Sequence, residues 1–273
     1  LRAWSSRANS IIVSTKIFSG KYRMSNSINF EINGRRITAE QEETIWQVAD
    51  RLGIEIPHLC YLPEKSYRAD GNCRACMVEI NGERTLAASC IRYPTEGMVV
   101  NTASKRAKKS RKIVFELLHV DQPRRENSHD SKSKFWEWVD KIDLNPSDRY
   151  PTKAQPKADK SHTAISVHLD ACIQCNLCVR ACREVQSNDV IGMAHRGHQS
   201  KIIFDFDTSM GSSTCVACGE CVQACPTGAL MESNLLNKVG VRTEFEDHSV
   251  KTLCPYCGVG CQTNVHVKDN KIL

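Results

Sequence analysis

The sequence has no apolar run long enough to cross a bilayer, so no membrane span is expected. No acidic residue occurs before Glu31, and that opening stretch is rich in Ser and Arg. Such a composition resembles an organellar transit peptide, but translated upstream sequence ahead of Met24 is the reading preferred for residues 1–27. The first residue, Leu1, is not an initiator, and no secretory apolar segment follows it. Arg35-Arg36 sits inside a predicted hairpin and is not read as a twin-arginine export signal. No nucleic-acid-binding motif is present. Cysteine is missing altogether between Cys90 and Cys172.

Outside that gap cysteine dominates, with 15 residues in 273. They fall in groups: 60, 73, 76 and 90; 172, 175, 178 and 182; 215, 218, 221 and 225; and 254, 257 and 261. A secreted disulfide framework is the first alternative, but such domains are short and rarely stack repeated C-x-x-C units. Two thiolates three positions apart in a tight loop can grip one metal centre. Zinc is the second alternative. It needs four ligands and gives no reason for a third cysteine at the same spacing followed by a fourth.

Between the cysteines the pattern is that of a small α+β protein. Ile28, Phe30 and Ile32 alternate with polar residues, Asn33-Gly34 supplies a two-residue turn, and Ile37 follows, predicting a hairpin over 28–40. Ile45, Val48, Ala49 and Leu52 share one helical face, which Gly53 ends. A second hairpin is written in Met77–Ile80, Asn81-Gly82 and Thr85–Ala87. The span 101–145 is expected to be helical, with stripes at Ile113, Val114, Leu117, Leu118 and at Phe135, Trp136, Trp138, Val139, both read as packing. Six bases (Lys105, Arg106, Lys108, Lys109, Arg111, Lys112) predict a solvated helix face, or else a docking surface for an acidic partner. Pro146, Pro151 and Pro156 mark a linker over 145–160.

Residues 172–182 and 215–225 form an internal repeat at an offset of 43, each a C-x-x-C-x-x-C-x-x-x-C run. In such runs three cysteines curl around one cube and the fourth is held away to ligate the other. The expected sets are therefore Cys172, Cys175, Cys178 and Cys225 for one [4Fe–4S] cluster, and Cys182, Cys215, Cys218 and Cys221 for a second. Pro226 follows Cys225 as the bacterial ferredoxin run requires, whereas Arg183 follows Cys182.

The group Cys60, Cys73, Cys76 and Cys90, on a sheet with Asn-Gly hairpins, resembles the [2Fe–2S] domain of complex I large subunits, iron hydrogenases and NAD-linked formate dehydrogenases. Cys254-Pro-Tyr-Cys257-Gly-Val-Gly-Cys261 resembles the N-terminal [4Fe–4S] motif of molybdopterin oxidoreductases, with its fourth ligand expected beyond Leu273. The resemblance implies a β-grasp [2Fe–2S] ferredoxin-like domain (28–103), a helical connector and linker (104–160), a two-cluster bacterial ferredoxin-like domain (161–235) and the start of a molybdopterin oxidoreductase domain (247–273).

By the same resemblance the chain is the cytoplasmic electron-transfer arm of a formate dehydrogenase. A Mo- or W-bis-pterin guanine dinucleotide, expected only in a longer protein, takes electrons from formate. They pass through the [4Fe–4S] clusters to the [2Fe–2S] cluster and on to a flavin subunit that reduces NAD, with a small [2Fe–2S] subunit as a second partner. No catalytic residue is expected in this stretch. The alternatives are the large iron–sulfur subunit of a complex I-like NADH dehydrogenase and a stand-alone subunit of an NAD-linked hydrogenase. Relatives usually carry a His-Cys₃ cluster in the gap that here has no cysteine. His119 lies nearby but is read as an ordinary helix residue, with the aromatic segment 135–144 filling the space.

Overall fold

The computed structural model describes residues 27–64, 66–145, 149–152 and 156–273. The expected leader, Met24 and Pro146 lie outside these residues. In chain order the elements are β1 (Ile28–Ile32), β2 (Arg35–Ala39), α1 (Ile45–Arg51), β3 (Met77–Ile80), β4 (Ala87–Ala88), β5 (Val99–Asn101), α2 (Lys105–Val120) and α3 (Lys134–Lys141). They continue with β6 (Ile165–Val167), α4 (Leu177–Arg180), β7 (Ile191–Ala194), β8 (Lys201–Phe204), α5 (Glu220–Gln223), β9 (Leu230–Glu232), β10 (His248–Leu253), β11 (Gln262–Lys268) and β12 (Lys271–Ile272).

The first hairpin forms as expected, with Asn33 and Gly34 both at positive φ, as its tight turn demands. Helix α1 starts on a capping box. Gln47 N–H donates to Thr44 Oγ1, while Thr44 N–H donates to Gln47 Oε1 at 2.8 Å. Gly53, at φ +69°, receives the chain as it leaves the helix. The apolar face predicted for α1 is buried at Ile45, Val48 and Ala49, together with Trp46. It packs on a five-stranded sheet of order β2-β1-β5-β3-β4.

Two expectations need correction here. The second hairpin returns at Ala87–Ala88, one step later than expected, pairing Met77 with Ala88. The sheet's central strand, β5, was not foreseen. It runs parallel to β1 and antiparallel to β3, so it joins two hairpins that sequence alone leaves separate.

The span 101–145 is not one helical stretch. Helices α2 and α3 are separated by a segment of turns and one 3₁₀ turn, Arg125–Asn127. Pro123 lacks the N–H a continuing helix would use, and Asp121 caps the end of α2. Phe115, Phe135, Trp136, Trp138 and Val139 are buried with Leu59 and Ala75 as a separate core, so the aromatic stripe is packing, as expected. Cys73 and Ile173 pack against that core from opposite sides of the gap. His119 lies edge-on to Trp136, with ring centroids 5.4 Å apart, and burial lowers its basicity.

The connector also grips both repeated runs. Gln122 Nε2 donates to the Ala171 carbonyl at 3.0 Å, just ahead of Cys172. Phe135 N–H donates to the Pro226 carbonyl at 2.9 Å, just after Cys225. The runs themselves are closed by two short antiparallel ladders, β6 with β9 and β7 with β8. The C-terminal unit is a three-stranded sheet of order β10-β11-β12, mostly exposed. Among the described residues no helix is long and apolar enough to cross a membrane.

Candidate metal centres

The duplicated runs fold into duplicated loops. Gln174 (φ +55°) and Ala217 (φ +56°) occupy equivalent positions, as do Asn176 (+61°) and Gly219 (+80°). Left-handed backbone on either side of the second cysteine curls each loop inward, and at Gln174 and Ala217 it does so without glycine's freedom. Short helices follow, α4 after the first loop and α5 after the second. Helix α4 runs on into a π-helical turn, Ala181–Val185, which carries Cys182 away from its own loop.

The result is a crossed arrangement. One small apolar cavity is lined by Cys172, Cys175, Cys178 and Cys225, and another by Cys182, Cys215, Cys218 and Cys221. Each draws three cysteines from one run and the last from the other, the same two sets that spacing alone gives. Backbone N–H groups point at several of the sulfurs. Val190 N–H donates to Cys182 Sγ at 3.3 Å and Ala217 N–H to Cys215 Sγ at 3.4 Å.

The first group also converges. Cys73 N–H donates to Cys60 Sγ at 3.4 Å, and Cys76 Sγ lies 3.4 Å from Cys90 Sγ. Hydrogen bonds from the Cys73 and Cys90 thiols hold the Cys60 thiol well below its usual range. Their bonds to Cys60 push Cys73 and Cys90 up in turn.

These environments suit cationic iron. Burial pushes the Cys175 and Cys178 thiols up and takes Cys221 to about 12, with neighbouring cysteines adding to each shift. Several thiolates crowded into an apolar cavity are costly unless a metal neutralises them, and metal binding then displaces their protons. The N–H···S bonds are the outer contacts that tune iron–sulfur centres.

The last group differs. Leu253 pairs with Gln262, and Cys254 N–H donates to the Cys261 carbonyl at 2.8 Å, so the three cysteines sit at the tip of the β10–β11 hairpin. Cys257 and Cys261 are exposed there. Among the described residues no fourth cysteine is gathered at this tip.

A different cluster was not foreseen. The ligand atoms of His129, His168 and Asp170 lie within 4.8 Å of one another. The two imidazoles stack 3.8 Å apart and only 22° from parallel, so no single point lies in both ring planes at bonding distance. Moreover, both His129 nitrogens face acceptors, Nδ1 the Gly240 carbonyl at 2.6 Å and Nε2 the Asp170 carboxylate at 2.9 Å. This is a charge clasp between the connector, the first cysteine run and the loop beyond β9.

The basic run is not uniformly solvated. Arg111 is buried, and its Nε donates to the Met77 carbonyl at 2.9 Å, tying α2 to β3. Lys108, Lys109 and Lys112 instead face an open groove with Trp138, Lys141 and Arg149.

Comparison with known proteins accords with this geometry. Residues 25–105 match the model of a 2Fe-2S iron-sulfur cluster binding domain, 171–229 a 4Fe-4S dicluster domain, and 247–273 a molybdopterin oxidoreductase Fe4S4 domain. The chain therefore carries three iron–sulfur-type domains in series.

Its relatives are oxidoreductases and their subunits. It is 31% identical over 251 residues to a subunit of an NADH-quinone oxidoreductase from Rhizobium meliloti (strain 1021), covering 90% of this chain and 28% of that protein. It is 26% identical over 256 residues to a Staphylococcus haemolyticus (strain JCSC1435) protein whose name assigns it provisionally to formate dehydrogenase, covering 80% and 26%. A solved chain of an NAD+-reducing [NiFe]-hydrogenase superposes with a TM-score of 0.68 at 26% identity, covering 76% of this chain and 87% of that one. The chain spans just over a quarter of the length of these two curated relatives.

Proposed function

We propose that this chain is the electron-transfer arm of a formate dehydrogenase. It would carry electrons from a Mo- or W-pterin site, outside the residues described, to an NAD-reducing flavin subunit. The observation that carries this reading is the domain order: a molybdopterin oxidoreductase Fe4S4 domain at 247–273 follows a [2Fe–2S] domain and a dicluster domain. The staphylococcal relative supports formate as the substrate.

In this reading Cys60, Cys73, Cys76 and Cys90 hold a [2Fe–2S] cluster. Cys172, Cys175, Cys178 and Cys225 hold one [4Fe–4S] cube, and Cys182, Cys215, Cys218 and Cys221 the other. Cys254, Cys257 and Cys261 contribute to a third cube whose remaining ligand comes from elsewhere. The boundaries 28–103, 161–235 and 247–273 belong to the same proposal. Such clusters supply one-electron chemistry. The chain's own part is to supply the thiolates, bury the centres and set their spacing. A cytoplasmic setting follows from the reducing conditions that thiolate ligands need.

The Rhizobium relative favours a second reading, the large iron–sulfur subunit of a complex I-like NADH dehydrogenase. The test is to express the complete reading frame without oxygen, assay molybdenum and tungsten, and add formate. Metal-loaded protein whose [2Fe–2S] signal is reduced by formate supports the dehydrogenase. Protein without either metal that is reduced only by NADH through a flavin partner supports the second reading.

A further inference from the structure

The gap that lacks cysteine raises the question of how electrons cross between the dicluster domain and the [2Fe–2S] domain. One side chain stands at the crossing. Arg180, on α4 between Cys178 and Cys182, is only 2% exposed. Its Nη2 donates to the Cys60 carbonyl at 2.8 Å and to the Cys175 carbonyl at 3.2 Å. Nη1 donates to the Arg68 carbonyl, and Nε lies 3.1 Å from Asp70 Oδ2. A single guanidinium thus holds the backbone of one cysteine from each group.

Neighbouring contacts hold the same junction. Tyr67 Oη donates to Glu220 Oε1 at 2.7 Å, and Arg68 pairs with Glu184 at 2.9 Å. Cys60 lies in one apolar cluster with Cys175 and Cys178. Burying a charge this deeply is costly without close partners, and here a fixed fork of donors meets carbonyls on both sides and a carboxylate.

We propose that Arg180 is the positioning residue of a direct electron crossing between the cube held by Cys172, Cys175, Cys178 and Cys225 and the [2Fe–2S] centre held by Cys60, Cys73, Cys76 and Cys90. No intervening centre is needed. The step is a single-electron exchange: one centre loses an electron as the other gains it, and no bond or proton changes hands. The proposal rests on the ligand sets given above. The buried positive charge also favours the reduced form of both centres, which carries the extra negative charge. Asp70 opposes that effect, so the pair makes opposite predictions.

The test uses the full chain reconstituted with iron and sulfide, in wild-type, R180K, R180M and D70N forms. Iron is counted, and each sample is titrated with dithionite while electron paramagnetic resonance is recorded. R180M is expected to lower the potentials of the [2Fe–2S] centre and the adjacent cube, and to weaken the magnetic interaction between them. The second cube should not move. R180K should restore the potentials but not the interaction, because an ammonium lacks the planar fork. D70N should raise the same two potentials, and it decides the matter if R180M does not assemble. Iron-replete D70N and R180M with unmoved potentials and interaction would overturn the role of Arg180 alone. Wild-type protein that takes up no iron overturns the ligand sets and this proposal together.

Discussion

His129 and His168 stack ring on ring, 3.8 Å between centroids, yet the fold drives their protonation in opposite directions. Burial opposes charge on His129, but the hydrogen bonds to Asp170 and the Gly240 carbonyl outweigh it and raise its basicity. Burial, with the charge of His129 and Lys160 nearby, lowers His168 to about 4. The stacked rings thus differ in basicity, and His168 Nε2 meets Ser166 Oγ at 2.8 Å.

A pH dependence follows, with its sign set by the directions of these shifts. The raised His129 contributes stability that is complete below its unfolded value of 6.5 and is lost as pH rises through the raised folded value. The lowered His168 acts the other way, costing stability as pH falls from 6.5 towards 4. Denaturant midpoints measured without oxygen between pH 6 and 9 should therefore fall on the alkaline side in wild type. H129Q should be less stable at pH 6 and flatter above it. An unchanged slope in H129Q would remove the clasp from the account.

The crossed cavities predict a crossed loss of iron. C225S should remove the cube of the first run, although Cys225 lies in the second, and C182S should remove the cube of the second. Iron content should fall by about four per molecule in each case. Power-dependent resonance spectra of the reduced samples would identify which cube is missing. Loss of the cube from the mutated run itself would reverse the ligand sets.

Ala217 is exposed and sits at φ +56°. Glycine should relieve that backbone, and A217G is expected to gain up to about 1 kcal/mol, less the extra freedom of its unfolded chain. A β-branched residue should do the reverse, so A217V should lose stability and rebuild its cluster slowly. Urea midpoints and the rate at which visible absorbance returns on reconstitution would measure both.

Phe135 is fully buried and lies 6.0 Å, centroid to centroid, from Phe115, in the core that fills the cysteine-free gap. F135A should cost about 3–5 kcal/mol. Because this core abuts both Cys73 and Ile173, the cavity should also loosen the two cysteine groups. Hydrogen exchange around 73–76 and 172–175 should accelerate together.

The two cysteine runs were legible because their short, rigid spacing repeats at an offset of 43, and the fold gathers them into two cavities. The hairpins were legible because Asn-Gly turns demand positive φ at both residues. What stayed hidden depended on distant partners. Val99–Asn101 is three residues long with no turn of its own, and only the open slot between β1 and β3 makes it a strand. Arg180 reads as an ordinary helix-surface base in Cys178-Val-Arg-Ala, and only the carbonyls of Cys60 and Arg68 reveal its place. The break at Pro123 was visible in the sequence, but the flanking apolar stripes masked it.

The exchange of the fourth cysteine between the two runs bears on biosynthesis. With these ligand sets, neither half of the duplication owns a finished centre: Cys225 must emerge from the ribosome before the earlier loop can close, and Cys182 waits for the later one. If these are the ligand sets, iron delivery to either centre would wait until most of the second run has been translated. A nascent chain stalled before residue 221 would then offer iron no complete four-cysteine set in this domain.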